Sequence, residues 1–467
     1  MRLKMAKALF VGTTVLAALT CGASMAQKAD PYQANNRPPD SRLKADILVV
    51  VAHPDDETLV DAYLAREIFD QHRRVAVVFG THGEGSVNEV GPEQSLAMGN
   101  IREIEGREAV GYFGITNIWF LTGRDTPSQN VLNSLEHWGH GSCLDQLVRI
   151  VRLTRPSVIL TFLPDFTTGE NHADHQAAGV LATEAFDLAG NPTAFPEQVS
   201  PPLSPDKNMS LTEGLQVWQP QKIYYFHNPT HDIFAGRGPQ YSSKEISPSH
   251  HLSYGRLAAE AYAHHRTQGG DYLTRAIENN ALDNSTDSHV KLATEDVKFI
   301  LGKSLVPSSA ADDVFAGVAN DGILFHPIPG FTANADREPT IRIGDPWNFY
   351  HEFWLAHGLD HLSDIVPNEV TVKVGGTLVI PLIIENPLDT PIHVALSVQA
   401  PAEWKVKPSA ENTIDPHTRF FIRVEADAPD RELSGRQNFV VAAQSGDQNL
   451  GTVPIQAELS TGWVAPQ

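Results

Sequence analysis

The first half of the chain alternates between short continuous hydrophobic runs and segments with helical periodicity. The continuous runs have strand length and occupy 46–52, 74–81, 117–123, 157–164 and 222–228. Apolar residues recur at helical spacing in 59–72, 95–113, 144–154, 175–190 and 253–268. This alternation predicts an α/β fold with a Rossmann-like, mostly parallel sheet and helices on both faces. In such a sheet, ligands bind at the C-terminal ends of the strands.

The pattern changes after Pro367 to short strands separated by Gly, Pro, Asn and Asp turns. This part predicts an Ig-like β-sandwich of about 95 residues. The sequence therefore predicts a leader (1–26), a tether (27–44), an α/β domain (45–275), an extension packing on that domain (276–366) and the sandwich (367–467). We predict no individual elements in the extension.

The N-terminus has the pattern of a secretory signal peptide. A basic start with Arg2, Lys4 and Lys7 precedes a short apolar run and the small-residue site Ser24–Ala26. We therefore expect an exported protein, periplasmic or secreted, whose mature chain begins near Gln27. Lipidation at Cys21 is an alternative, but the residues before it match a lipobox poorly. We expect no transmembrane segment.

Composition excludes several classes of protein. The formal charge of -21 makes nucleic acid and anionic membranes poor partners. Two cysteines exclude a disulfide scaffold and a Cys-rich zinc module, whereas twenty histidines favour metal or acid-base chemistry.

Two clusters of polar residues follow buried strands. The segment 49–59 ends a predicted strand and then places His53 and Asp56 three residues apart, where one ion could contact both. Asp55 points elsewhere and stays free to act as a base. After the strand 157–164, His172 and His175 are also three apart, with Asp174 between them. Because both clusters lie at strand ends on one edge, they predict a His, Asp, His metal site with open positions for water and substrate.

These motifs resemble the LmbE-like, PIG-L type N-acetylglucosaminyl deacetylase family. Its signature is a strand followed by A-H-P-D-D-E and a later H-x-D-H, and the likeness covers about residues 45–270. The loop 80–85, Glu105 in an R-x-x-E helix and the segment 265–268, a variant of H-x-S-Q, also match. The resemblance implies an exported zinc hydrolase that removes the acetyl group from an N-acetylated sugar or glycoconjugate.

The resemblance also implies roles for single residues. It makes His53, Asp56 and His175 the ligands of one Zn²⁺ per chain, with Fe²⁺ possible, and Asp55 the general base. His172 would stabilise or protonate the tetrahedral intermediate as a charged or donating imidazole, and Asp174 would tune His172. Arg102 would face the substrate. These are the seven candidate site residues.

The chain departs from the family pattern at two positions. Ala173 replaces the usual proline, and Glu170 stands where some members carry a tyrosine. The identity of the auxiliary acid therefore stays open. The sandwich, with its P-x-x-W strand, resembles the NEW3 modules of exported bacterial carbohydrate-active enzymes. That resemblance implies either carbohydrate or cell-envelope contact or a simple spacer.

Two other functions compete with the deacetylase interpretation. A non-haem Fe(II) oxygenase could use the same His/Asp/His set, but it needs no water-activating base such as Asp55. A non-catalytic exported sugar-binding protein could retain the pocket, but degenerate relatives usually lose the base.

Overall fold

The computed structural model describes residues 39–166, 172–200, 213–227, 233–320, 322–328, 338–363, 365, 367–408 and 411–462. The predicted signal peptide, Cys21 and Glu170 lie outside the described residues.

A six-stranded sheet forms the centre of the first region. The strands before residue 305 are β1 (Ile47–Val51), β2 (Val75–Phe79), β3 (Asn117–Phe120), β4 (Val158–Phe162), β5 (Lys222–Phe226), β6 (Gln240–Tyr241), β7 (Val297–Lys298) and β8 (Ile300–Ser304). The sheet has the order β3-β2-β1-β4-β5-β8, and β6 pairs separately with β7. Its first five strands are parallel, and β8 is antiparallel to β5. This confirms the predicted mostly parallel sheet.

The strands are apolar because both faces of the sheet are covered. Every residue of β1, β2, β4 and β5 is buried, as is usual for parallel strands packed between helices. The helices are α1 (Thr58–Ala65), α2 (Leu96–Tyr112), α3 (Val131–Trp138), α4 (His140–Thr154), α5 (Ala173–Leu188), α6 (Pro196–Val199), α7 (Tyr254–Tyr262), α8 (Gly270–Glu278), α9 (Ser288–Thr294) and α10 (Pro346–His357). A π-helical turn, Arg66–Asp70, continues α1.

One predicted helix ends early. The periodicity predicted a helix over 253–268, but α7 ends at Tyr262 and the chain then forms a short 3₁₀ segment, Arg266–Gln268. Thr267 in this segment donates to Glu105 on α2 through its amide and its hydroxyl, and the Gln268 side chain donates to the Val87 carbonyl. These tertiary contacts outweigh the local helical preference.

The C-terminal region is a sandwich of mainly antiparallel strands, as predicted. Its strands are β9 (Thr340–Ile343), β10 (Glu369–Lys373), β11 (Thr377–Asn386), β12 (Ile392–Gln399), β13 (Lys405–Val406), β14 (Asn412–Ile414), β15 (Thr418–Asp427), β16 (Gln437–Ser445) and β17 (Gln448–Ser460). One sheet has the order β10-β17-β16-β12-β14 and the other β13-β15-β11-β9. Inward side chains of both sheets form a separate apolar core that includes Trp404 and Phe439.

The segment predicted as an extension serves both regions. Strand β9 precedes Pro367, yet it pairs with β11 inside the sandwich. Helix α10 packs against the α/β region, where the Tyr350 hydroxyl donates to Gln176 Oε1 and Trp354 Nε1 donates to the Pro164 carbonyl at 3.1 Å. Strand β9 of the extension therefore belongs to the sandwich, and helix α10 of the extension belongs to the α/β region.

Within the part of the chain that the structure describes, no helix combines the length and apolar character needed to cross a bilayer.

Candidate active site

The first cluster lies where β1 ends and the chain turns into α1. Asp56 fixes this turn, because its Oδ2 accepts hydrogen bonds from the backbone amides of Ala52 at 3.0 Å and His53 at 2.7 Å. The same oxygen lies 3.4 Å from His53 Nδ1. The local fold thus holds the predicted imidazole and carboxylate next to each other.

The second cluster lies at the end of the neighbouring strand. β1 and β4 pair in parallel with Ile47 opposite Val158, so their C-terminal ends lie side by side. His172 caps the start of α5, and the His175 ring stacks on Phe162 with a centroid distance of 4.2 Å. This places His175 Nε2 3.0 Å from Asp56 Oδ1.

The predicted ligands converge as the strand ends required. Asp56 lies between His53 and His175, and the two rings are 5.3 Å apart between centroids. His53, His172 and His175 can also present ring nitrogens within 4.8 Å of one another. Two buried imidazoles and a carboxylate match the nitrogen and oxygen donors that Zn²⁺ prefers. The residues present therefore fit a zinc ion.

The charges at this site depend strongly on one another. Although burial opposes both shifts, Asp56 raises the pKa of His53 well above its usual value, and the two histidines hold the pKa of Asp56 well below its own. Burial lowers the pKa of His172 to about 3, and His175 and His53 add to this effect. His172 is therefore a neutral imidazole here, which favours the donating form of its predicted role over the charged form.

Asp55 is set apart from its neighbours by its backbone. Its φ is 123°, a left-handed value that side chains other than glycine rarely adopt. Burial raises the pKa of the Asp55 carboxyl to about 6, although the Arg102 guanidinium opposes this shift. A carboxyl with a pKa near neutrality is suited to proton transfer.

Arg102 occupies a different environment from the one we expected. Its side chain is buried, and it donates to Asp55 Oδ1 at 2.7 Å, to the Pro54 carbonyl, and to the Gly83 carbonyl at 3.1 Å. These acceptors hold the guanidinium against the first cluster, and Arg102 is not among the residues that line the adjacent cavity. In this structure Arg102 holds the Asp55 carboxylate, and its predicted contact with substrate stays a prediction.

Asp174 also contacts other groups than we expected. Its carboxylate accepts from the Thr126 amide at 2.7 Å and from Trp138 Nε1 at 3.2 Å, and it lies 3.4 Å from His53 Nε2. Among the described residues, no hydrogen bond joins it to His172. Asp174 therefore orients His53, because the N-terminal turn of α5 directs its side chain toward that ring.

A cavity of about 260 Å³ lies beside Asp55, Asp56 and His175. The other residues that line it are Leu59, Glu89, Phe162, His227, Tyr262, Gln268, Ser288, His289 and Leu292. The last three belong to α9, in the segment for which we predicted no elements. No motif in the sequence indicated that α9 would reach the strand ends, because only the tertiary path of the chain brings it there.

Sequence reasoning noted the segment 265–268 but not its contacts. His265 Nε2 lies 2.6 Å from Glu57 Oε1, in a pair with no solvent exposure. Thr267 bonds Glu105 on α2 through its amide and its hydroxyl, and the Gln268 side chain donates to the Val87 carbonyl at 2.9 Å. This turn joins three parts of the site that lie far apart in the chain.

Comparison with known proteins places these motifs in context. Residues 48–186 match the PIG-L family model, described as GlcNAc-PI de-N-acetylase. This segment contains both clusters and is similar to PIG-L, or LmbE-like, deacetylase domains.

Relatives extend the likeness. The chain is similar to a 1D-myo-inositol 2-acetamido-2-deoxy-alpha-D-glucopyranoside deacetylase of Streptomyces scabiei, at 32% identity over 35% of this chain, and it spans only 54% of that relative. An enzyme of the same name from Geodermatophilus obscurus is 25% identical over 58% of this chain and 97% of its own length. A solved N,N'-diacetylchitobiose deacetylase from Pyrococcus horikoshii covers 58% of this chain and 88% of its own, with 18% identity and a TM-score of 0.37.

Proposed function

We propose that this protein is a zinc-dependent hydrolase that removes the acetyl group from an N-acetylated sugar of the GlcNAc type. The observation that carries the proposal is the convergence of Asp55, a half-buried carboxylate with raised pKa, and two His-containing clusters at one cavity. The named relatives support the same reaction class, because two of them are deacetylases of a GlcNAc-containing glycoside.

His53, Asp56 and His175 would hold the zinc ion. Zinc, when bound in such a site, lowers the pKa of water to about 7 and polarises a carbonyl oxygen. Ferrous iron would accept the same donors.

The residues around the ligands have separate roles in the proposed reaction. Asp55 takes the proton of the attacking water, because Arg102 occupies Oδ1 and leaves Oδ2 available. His172 is neutral and donates an N–H to the oxyanion that forms at the amide carbon. Asp174 keeps the His53 ring in place.

The cavity lining favours an uncharged sugar. Leu59, Phe162 and Leu292 supply apolar surface, and Glu89, Gln268 and Ser288 supply polar groups. None of the described lining residues is lysine or arginine, so these residues offer no ammonium or guanidinium group to a phosphate or a carboxylate of the substrate. We infer that a neutral N-acetyl glycoside is preferred over its phosphorylated counterpart.

The deciding experiment measures acetate release from a panel of N-acetylated sugars and glycoconjugates, with metal content determined on the same preparation. The proposal requires acetate release that disappears with a chelator and returns with zinc. Oxygen uptake with bound iron and no acetate would favour the oxygenase. Saturable sugar binding without acetate release, in protein that carries zinc, would favour a binding protein.

We also propose that the protein is exported and that its mature chain begins near Gln27, on the basis of the N-terminal pattern. N-terminal sequencing of protein from its native host tests this. A chain that retains Met1 or begins at a lipidated Cys21 would contradict it.

The sandwich is proposed to contact carbohydrate or the cell envelope and to take no part in the chemistry. Support comes from its separate core and from the absence of comparable clusters of His and carboxylates within its described strands. Pull-down of the isolated sandwich by insoluble glycans would test this contact.

A further inference from the structure

The backbone of Asp55 is held in an unfavourable conformation. A residue with a side chain is strained at φ of 123°, and this conformation persists only where its surroundings enforce it. The same backbone geometry determines where the Asp55 carboxylate projects. Whatever enforces this φ therefore positions the proposed base.

Glu57 contacts the backbone of Asp55 directly. Its Oε2 accepts a hydrogen bond from the Asp55 amide at 2.9 Å, and Thr58 N closes the turn by donating to the Asp55 carbonyl at 3.1 Å. Arg102 acts on the side chain of Asp55 through Oδ1, and on the Pro54 carbonyl of the peptide unit that carries the Asp55 amide. Glu57 is the partner of the Asp55 N–H itself.

Glu57 is itself held by a residue from the far end of the α/β region. Its Oε1 lies 2.6 Å from His265 Nε2, and both side chains are completely buried. Burying such a pair has a desolvation cost that the mutual attraction of the two groups often only offsets. Positioning of neighbouring groups therefore explains a buried pair at this location better than stabilisation of the fold does.

The position of His265 is fixed independently of Glu57. Two residues later, Thr267 bonds Glu105 through its amide at 3.0 Å and through its hydroxyl. The backbone carbonyl of His265 accepts from Gln268 at 3.0 Å and Gly270 at 2.9 Å. His265 is consequently a rigid point against which Glu57 is oriented.

We propose that His265, acting through Glu57, is a positioning residue that holds the backbone of Asp55 in its left-handed conformation. This inference rests on the proposed function only for its kinetic consequence. The geometric consequence concerns the Asp55 backbone and does not depend on any reaction.

The geometric test is a crystal structure of the full chain carrying His265→Leu, next to the wild type and His265→Gln. The Gln side chain keeps an N–H donor for Glu57, whereas Leu removes it. We expect Asp55 to relax to negative φ in His265→Leu and to keep positive φ in His265→Gln. An unchanged Asp55 φ and an unchanged Asp55–Glu57 hydrogen bond in His265→Leu would overturn the proposal, even if the protein shows no deacetylase activity.

The kinetic test separates positioning from general stability. Misplacing a catalytic group by about 1 Å costs roughly a hundredfold, so we expect kcat of His265→Leu to fall about tenfold to a hundredfold. KM and zinc content should stay near the wild type, and His265→Gln should recover most of the loss. His264→Leu is the matched control, because that neighbouring side chain is 41% exposed and faces Glu108 at 3.7 Å.

A second variant guards against misfolding, since His265→Leu leaves the Glu57 carboxylate buried without its partner. Replacing both residues, Glu57→Leu with His265→Leu, removes the buried charge and is expected to fold. This variant should bind zinc and show the same fall in kcat. Loss of zinc together with kcat, or a deficit that His265→Gln does not relieve, would assign these residues a purely structural role.

Discussion

The α/β region and the sandwich both bury polar side chains, but these side chains end in different surroundings. In the sandwich, the fully buried Asn386 donates to the carbonyls of Thr390, Ile414 and Asp415 and so holds a turn. In the α/β region, the rings of His172 and His175 lie 4.1 Å apart between centroids, and His175 lines the cavity. Their buried Nδ1 atoms have no hydrogen-bond partner among the described residues. Burial of a polar side chain therefore does not by itself indicate a functional site, and its hydrogen-bond partners must be known as well.

The same contrast separates the two cores. The sandwich core is formed by apolar side chains of β-strands and has no described ligand set. At the C-terminal ends of β1 and β4, the apolar side chains of the α/β core give way to histidines and carboxylates in the segments that follow these strands. The first arrangement stabilises a fold, and the second also brings together the residues to which we assign the proposed reaction.

The largest expected effect tests this contrast at the metal. Replacing His175 with Ala removes a proposed ligand, so zinc and acetate release should disappear together. The control in the other region is His417→Ala, whose exposed ring contacts only Asp389 among the described residues at 2.9 Å, and this change should alter neither. Metal analysis by mass spectrometry checks both, and full zinc occupancy in His175→Ala would refute the assignment.

The next effect distinguishes base from ligand. Asp55→Asn should retain zinc and lose about two to four orders of magnitude in kcat, the usual contribution of a general base. Parallel zinc analysis and acetate-release kinetics measure this. Turnover close to the wild type, or zinc loss in this variant, would show that the roles of Asp55 and Asp56 are wrongly divided.

The residues changed in these two variants were predicted as site residues from the sequence. The runs that became β1 and β4 were readable because continuous apolar stretches suit strands buried on both faces. The parallel order then required His53 and His175 to meet. The Arg102 and Asp174 contacts were not readable in the same way, because each depends on a loop whose path is set by tertiary packing.

A smaller effect tests where the α/β region ends. A chain of residues 27–366 keeps α10 and should retain its zinc and its kcat on a small soluble substrate within about threefold, since no proposed catalytic group is lost. A chain of 27–328 loses Tyr350 and Trp354, which pack next to Gln176 and Pro164. We expect at least about a tenfold loss there, through displacement of the second cluster.

The full-length double variant Tyr350→Ala with Trp354→Ala is the control that avoids truncation. Acetate-release kinetics and circular dichroism on all three proteins give the comparison. A folded 27–366 chain with zinc but no turnover would mean that the sandwich helps to build the active site.

The extension shows why this boundary escaped prediction. Neither β9 nor α10 has a strong period of its own, and each is stabilised by a different neighbour. The pairing of β9 with β11 bridges about 40 residues, counted from Leu382 opposite Ile343, a separation at which local pattern gives no information.

The smallest effect on activity tests the independence of the sandwich core. Trp404 is buried and lies 4.9 Å from Phe439 in an edge-on contact. Trp404→Ala should destabilise the sandwich by about 3–5 kcal/mol and leave kcat on a small substrate unchanged. Thermal unfolding and kinetics on one sample measure this, and a parallel loss of turnover would show that the two regions unfold as one unit.

The contact between Glu57 and His265 also has a consequence in time. It joins residues 208 positions apart in the chain, so at ordinary rates of synthesis about 10–40 s pass between the appearance of the two partners. Both histidine clusters emerge well before the second partner does. A nascent chain can therefore contain the proposed metal ligands while the turn proposed to position Asp55 is still missing, so the order of translation would delay the proposed activity.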